Sequence, residues 1–199
     1  MEFKEVVKNR RSIRQYQSMP VREATIQELL EIIGMSVSAM NLQPWKIKVI
    51  REQDLKDQVF TATFGQNQVK ACSHLLVLCA DTDYPTLIAK LRDAQAAAGV
   101  AEEMRERVFQ MATQIVSGMS AERQLQWSQE QVYIALGNAV NGAYSLGLGA
   151  NPMTAFDPAE VARILELPAH IVPTAMVCIG YSAEPGMPKL RYPVDDILI

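Results

Sequence analysis

Residues 74–80, HLLVLCA, are apolar throughout and carry no charged side chain. A run with no polar/apolar alternation suits a central strand covered on both faces. A second such run, HIVPTAMVCIGY at 170–181, reads as another buried strand. WKIKVIR, at 45–51, differs: Trp45, Ile47 and Val49 alternate with Lys46 and Lys48, the pattern of a half-buried strand. Helical patterns separate these strands, so the class is α+β or α/β around one sheet.

The helices follow from period and capping. TIQELLEIIGMSV starts at Thr25, where Thr25 and Glu28 form a capping-box pair, and Ile26, Leu29, Leu30 and Ile33 share one face. MEFKEVVKNRR reads as a short amphipathic helix, and residues 53–63 and 85–118 as helical. The longest helical pattern runs from Ala121 to Leu148 and holds Gly137 and Gly142. A helix-interior glycine costs nearly 1 kcal/mol relative to alanine, and close approach of another helix is the usual offset. DPAEVARIL opens a further helix with Asp157 as N-cap and Pro158 at N1. The tail KLRYPVDDILI ends in a short β-prone piece, which either pairs with this chain's sheet or reaches a partner's.

Bulk properties narrow the function. The 199 residues suffice for one domain, 1–199, with a substantial core. A net charge of −3 argues against a general nucleic-acid binder. No apolar run is long enough for a membrane span, and the N-terminus lacks the apolar core of a signal peptide, so a cytoplasmic protein is expected. Cys72, Cys79 and Cys178 form no CxxC pair, and His74 and His170 have no partners at metal-ligand or triad-like spacing. Metal chemistry and Ser-His or Cys-His nucleophilic chemistry are therefore set aside.

Polar residues punctuate the element ends. NRRSIRQY at 9–16 gathers Arg10, Arg11 and Arg14 around Ser12. Alone it is a solvated basic turn or an anion site, since the guanidinium fork matches phosphate oxygens bidentately. SAMNLQPW offers Ser38, Asn41 and Gln43 before a strand. GQNQVK sets Asn67 and Lys70 on one face if helical. KLR sets Lys189 and Arg191 on one face if extended. GLGANPMTAFD reads as a tight turn with accessible backbone amides, and it lacks the third glycine of a dinucleotide fingerprint. Taken together, these clusters offer cations for a phosphate, amides for an imide-like edge and backbone donors for a ring, an inventory that a phosphorylated heterocycle satisfies.

In this order the clusters resemble the FMN-dependent nitroreductase family, close to its oxygen-insensitive NAD(P)H nitroreductases and dihydropteridine reductases. The markers are RRSIR, SAMNLQPW, NQVKACSHLLVLCA, WSQEQVYIALGN, GLGANPMTAFD and KLRYP, spread over essentially the whole chain. The resemblance implies an α+β nitroreductase-like fold: a central mixed or antiparallel sheet flanked by helices and completed by a C-terminal strand from a homodimer partner. It implies FMN at the subunit interface, the long glycine-containing helix forming much of that interface, and NADH or NADPH as hydride donor. Nitroaromatics, quinones or similar flat, electron-poor small molecules would accept electrons in ping-pong fashion. A flavin/quinone or enone reductase with incidental nitro activity, or a non-catalytic flavin-binding redox protein, is the alternative.

Carried over by residue, the resemblance gives Arg10, Lys189 and Arg191 to the FMN phosphate, with Arg11 beside them. Ser12 and Arg14 approach the ribityl chain and pyrimidine end, and Asn67 and Lys70 the N3, O2 and N1 edge. Pro152, Met153, Thr154 and Ala155 lie along one flavin face. Val37, Ser38, Asn41 and Gln131 reach the flavin of the partner subunit, and Gln43 belongs to the same loop. No side chain is assigned as catalytic, because flavin N5 carries the hydride. Near relatives carry Glu-Gly where this chain has Thr154-Ala155.

Overall fold

The apolar run at 74–80 becomes β2 (His74–Asp81), buried at every residue, between β1 (Trp45–Ile50) and β4 (Ile171–Gly180). β3 (Gly149–Met153) closes the order β1-β2-β4-β3, and the computed structural model describes all residues 1–199. Every pairing among these strands is antiparallel, which settles the expected mixed or antiparallel sheet as antiparallel. Leu78 pairs with Ala175 and Cys79 with Pro173, leaving Thr174 as a bulge. Pro173 has no N–H to give the ladder, and a bulge accommodates that.

Each face of the sheet carries a helical layer. On one, Leu76, Leu78, Val177 and Ile179 pack against α2 (Glu23–Gly34) and α7 (Ala121–Ser145). On the other, Leu75, Val77, Met176 and Cys178 pack with Val59 of α3 (Gln53–Phe60), Val69 of α4 (Gln68–Ala71) and Val161 of α8 (Pro158–Ile164). α1 (Phe3–Asn9) precedes the sheet. Asp157 caps α8 as expected, its carboxylate accepting from the Ala159 and Glu160 amides. Gly142 has the expected close neighbour within the chain: a Cβ there would lie 2.8 Å from Ile32 Cγ2 and 3.1 Å from Leu29 Cδ1 of α2. Gly137 faces open space.

Four expectations need correction. α2 begins at Glu23 with Arg22 at its cap, so Thr25 and Glu28 lie inside the helix and form no capping box. Residues 85–118 are not one helical run but two helices, α5 (Tyr84–Ala97) and α6 (Glu102–Ser117), because Gly99 adopts φ +76° and reverses the chain. GLGANPMTAFD is a turn only at Gly147; its middle is β3, and Pro152 is tolerated there because β3 is the last strand of the sheet. The tail forms a 3-10 turn at Val194–Ile197 and pairs with no strand of this chain.

Candidate functional site

The open edge of β3 brings distant stretches together. Ser12 bridges Ala150 in parallel, and the Ile13 amide donates to the Ala150 carbonyl at 3.1 Å. Gly149 permits this approach: a Cβ there would lie 3.1 Å from Ile13 Cγ1. Tyr16 then pairs with Ser182, while Glu184 Oε1 accepts from the Arg14 and Gln15 amides at 2.6 and 3.1 Å. The segment after β4 is thereby led back over the N-terminal arginines.

The result is a cavity of about 240 Å³ whose walls include Arg10, Arg11, Ser12, Arg14, Lys189 and Arg191. Both chain ends contribute cations to it, and none of these cations has a carboxylate in ion-pair reach. Glu184, the nearby acid, is occupied by backbone amides. Arg11 Nη1 donates to the Lys8 and Asn9 carbonyls, closing the C-terminus of α1, and Lys189 Nζ donates to the Val7 carbonyl. Arg10 is left with no hydrogen bond from its guanidinium, and its Nη1 is fully buried. Burial, then Arg191 and Arg11, lower the Arg10 pKa; burial, then Arg10, Arg11 and Arg191, lower that of Lys189. Cations that disfavour one another's charge around a cavity with an orphaned buried donor have the chemistry that an anion with several oxygens would satisfy.

The 66–68 segment is tied to β3 and to the residues that follow it, Thr154-Ala155. Gln66 Nε2 donates to the Ala155 carbonyl at 2.6 Å, and Gln68 Nε2 reaches Asn151 Oδ1 at 3.4 Å. Asn67, Thr154 and Ala155 are exposed next to one another's segments, and Pro152 is half-buried. Two assignments sit differently. The Met153 side chain points into the core, its Sδ 3.8 Å from Cys178 Sγ, so only its backbone can face a ligand. Lys70 Nζ lies over the Phe60 ring at 4.9 Å and 3.9 Å from Asp57, and it lines a separate cavity with Lys56 and Cys72.

The remaining residues form the loop from α2 to β1. Met40, Asn41 and Gln43 hold φ near +50°, unusual for residues with a Cβ. Gln43 N donates to Ser38 Oγ at 2.9 Å, and Gln43 Nε2 to Asn41 Oδ1 at 3.2 Å. Val37 is exposed. Gln131 is buried on α7 and its Oε1 accepts from the Ala39 amide at 2.8 Å. Glu184, Gln66, Ser36 and Asn138, which organise these segments, have no signal in the sequence, because each acts on backbone or side chains that only the fold brings near.

A four-stranded antiparallel sheet with helices on both faces, and a cationic cradle at its edge strand, defines an α+β domain with a cluster of cations around one cavity. The chain belongs to the Nitroreductase family, whose model matches residues 7–181. It is 38% identical over its whole length to an NADH dehydrogenase of Thermus thermophilus, covering 96% of that protein. It is 27% identical to the major NAD(P)H-flavin oxidoreductase of Aliivibrio fischeri, over 96% of this chain and 95% of that one. Among solved structures, an Exiguobacterium sibiricum protein in complex with FMN superposes with a TM-score of 0.92 at 24% identity, over 100% and 97% of the two chains.

Proposed function

We propose that this chain is an FMN-dependent oxidoreductase that passes reducing equivalents from NADH or NADPH to flat, electron-poor acceptors such as nitroaromatics and quinones. The cradle carries this reading: Arg10, with its orphaned Nη1, Lys189 and Arg191 converge from both chain ends on a volume suited to a phosphate dianion. Names of relatives support the chemistry, since the Aliivibrio fischeri protein is an NAD(P)H-flavin oxidoreductase and a Bacillus subtilis relative an FMN reductase. Those names also favour a second reading, in which the acceptor is a free flavin and nitro reduction is incidental.

Bound FMN supplies hydride acceptance and delivery at N5. The chain holds and shields it. Arg10, Lys189 and Arg191 fix the phosphate, Arg11 braces α1 beneath them, and Ser12 and Arg14 continue along the ribityl chain. Asn67 and the backbone of 152–155 meet the ring, and the loop with Val37, Ser38, Asn41 and Gln43 covers the flavin of a partner subunit. Exposed apolar residues at Phe3, Met35, Val37, Tyr133 and Ile134, with the unpaired tail, support a homodimer. Three free, buried cysteines suit a reducing, cytoplasmic setting. The sequence has no separate dinucleotide fingerprint, so donor and acceptor share one pocket and turnover is ping-pong. Steady-state rates with each nicotinamide against nitroarene, quinone and free-flavin acceptors test this. Parallel double-reciprocal lines are expected, and intersecting lines or the absence of turnover with every acceptor contradict it.

A further inference from the structure

The loop at residues 36–43 is strained, and between its ends it has few hydrogen bonds to the rest of the chain. Left-handed backbone at non-glycine residues persists only where the surroundings impose it, and here Met40, Asn41 and Gln43 adopt it within four residues. Within the loop, Asn41 N donates to Ser38 O, Leu42 N to Ala39 O and Gln43 N to Ser38 Oγ; at its ends, Ser36 N donates to the Ile33 carbonyl and Trp45 N to the Gln43 carbonyl. Internal bonds shape a loop but do not fix it on the scaffold. Beyond the packing of Leu42, Ala39 and Met40 and the backbone bonds at its ends, two side-chain ties to α7 do so. Gln131 Oε1 accepts from the Ala39 amide at 2.8 Å, and Asn138 Nδ2 donates to Ser36 Oγ at 2.9 Å. Ser36 Oγ in turn donates to the Ile33 carbonyl at 2.6 Å. Residues 131 and 138 are two helical turns apart and so share one face of α7.

We infer that Gln131 is a positioning residue, acting on the flavin through the backbone of the 36–43 loop by its acceptor oxygen and not by a direct contact of its amide nitrogen. The oxygen must face Ala39, because a backbone N–H needs an acceptor, and this fixes the orientation of the amide. Its Nε2 has no partner in the chain and is dispensable. The inference rests on the proposed FMN site; the pinning itself is readable without it.

The test uses two variants. Gln131→Glu keeps an acceptor oxygen and loses the nitrogen donor; Gln131→Met keeps approximate volume and loses both. Amide exchange over residues 35–44 of the FMN-free protein reads the pinning, and FMN titration of the same samples reads its consequence. Protection is expected in the wild type and in Gln131→Glu, and lost in Gln131→Met. FMN Kd should stay within about twofold in Gln131→Glu and rise about tenfold in Gln131→Met, the scale of a buried amide left unpaired. Equal weakening by both variants would assign the role to Nε2 and overturn the inference, as would lost protection with unchanged FMN affinity or no effect of either change. If Gln131→Met does not fold, Gln131→Glu alone decides: wild-type Kd and protection support the inference, and a weakened Kd overturns it. A wild-type protein that binds no FMN sinks the proposed function instead, while the exchange data still report on the pinning.

Discussion

Arg10 finds no partner for its guanidinium within the chain, which the proposed phosphate contact would explain. Its guanidinium makes no hydrogen bond, Nη1 is buried, and Arg191 and Arg11 oppose its charge. Arg10→Met keeps the aliphatic stem and removes the orphaned donors. A buried polar group without a partner costs about 1–3 kcal/mol, so the FMN-free variant should be more stable than the wild type. At roughly 2–4 °C per kcal/mol for a chain of this size, a gain of about 1.5 kcal/mol raises Tm by about 3–6 °C. The opposite holds with ligand. A charge-assisted hydrogen bond contributes about 1.5–3 kcal/mol, so FMN Kd should rise about 10- to 100-fold. FMN would therefore stabilise the variant far less than the wild type, by mass action. Scanning calorimetry of deflavinated protein with and without a fixed FMN concentration measures both effects. A variant that is less stable without FMN yet keeps its affinity refutes the reasoning.

Further expectations concern packing, pH and assembly. Gly142→Ala should destabilise by about 1–2 kcal/mol, since overpacking at Ile32 and Leu29 outweighs the gain in helix propensity, whereas Gly137→Ala gains up to about 1 kcal/mol unless a partner packs there; urea unfolding separates the two. Burial pushes the Cys79 thiol from 9.0 up to about 12, so its stabilising effect is complete below pH 9 and lost as pH rises from there towards 12; Cys79→Ala should show a flatter decline over that window in alkaline unfolding. Deleting residues 195–199 should weaken a homodimer, read by light scattering against concentration, and an unaltered dimer would show that the tail is not part of the interface.

The sheet was legible where side chains declare their surroundings. The all-apolar 74–80 run and the Trp45–Ile50 alternation gave β2 and β1, and the Asp157-Pro158 pair gave the start of α8. β3 was hidden because Gly149 and Pro152 are turn residues by local chemistry, and only the last position in the sheet makes them acceptable in a strand. The start of α2 was misplaced for a related reason: Thr25 and Glu28 satisfy a capping pattern, but Glu23 already lies inside the helix. At the site, residue types announced the cations, yet not their arrangement. That Arg11 turns to the carbonyls of α1 while Arg10 stays unpartnered is a matter of how the side chains pack, which their shared residue type does not encode. The pairing of Lys70 with Asp57 and Phe60 likewise arises from the packing of α3 on α4, which no local pattern encodes.

The cradle is tested most directly by the flavin content of protein purified with Arg10 and Arg191 both changed to Ala. The wild type should carry about one FMN per chain, held through charge-assisted bonds to the phosphate, and the double variant should emerge colourless but folded, with native circular dichroism. A folded double variant that retains its FMN would place the phosphate elsewhere and contradict the account.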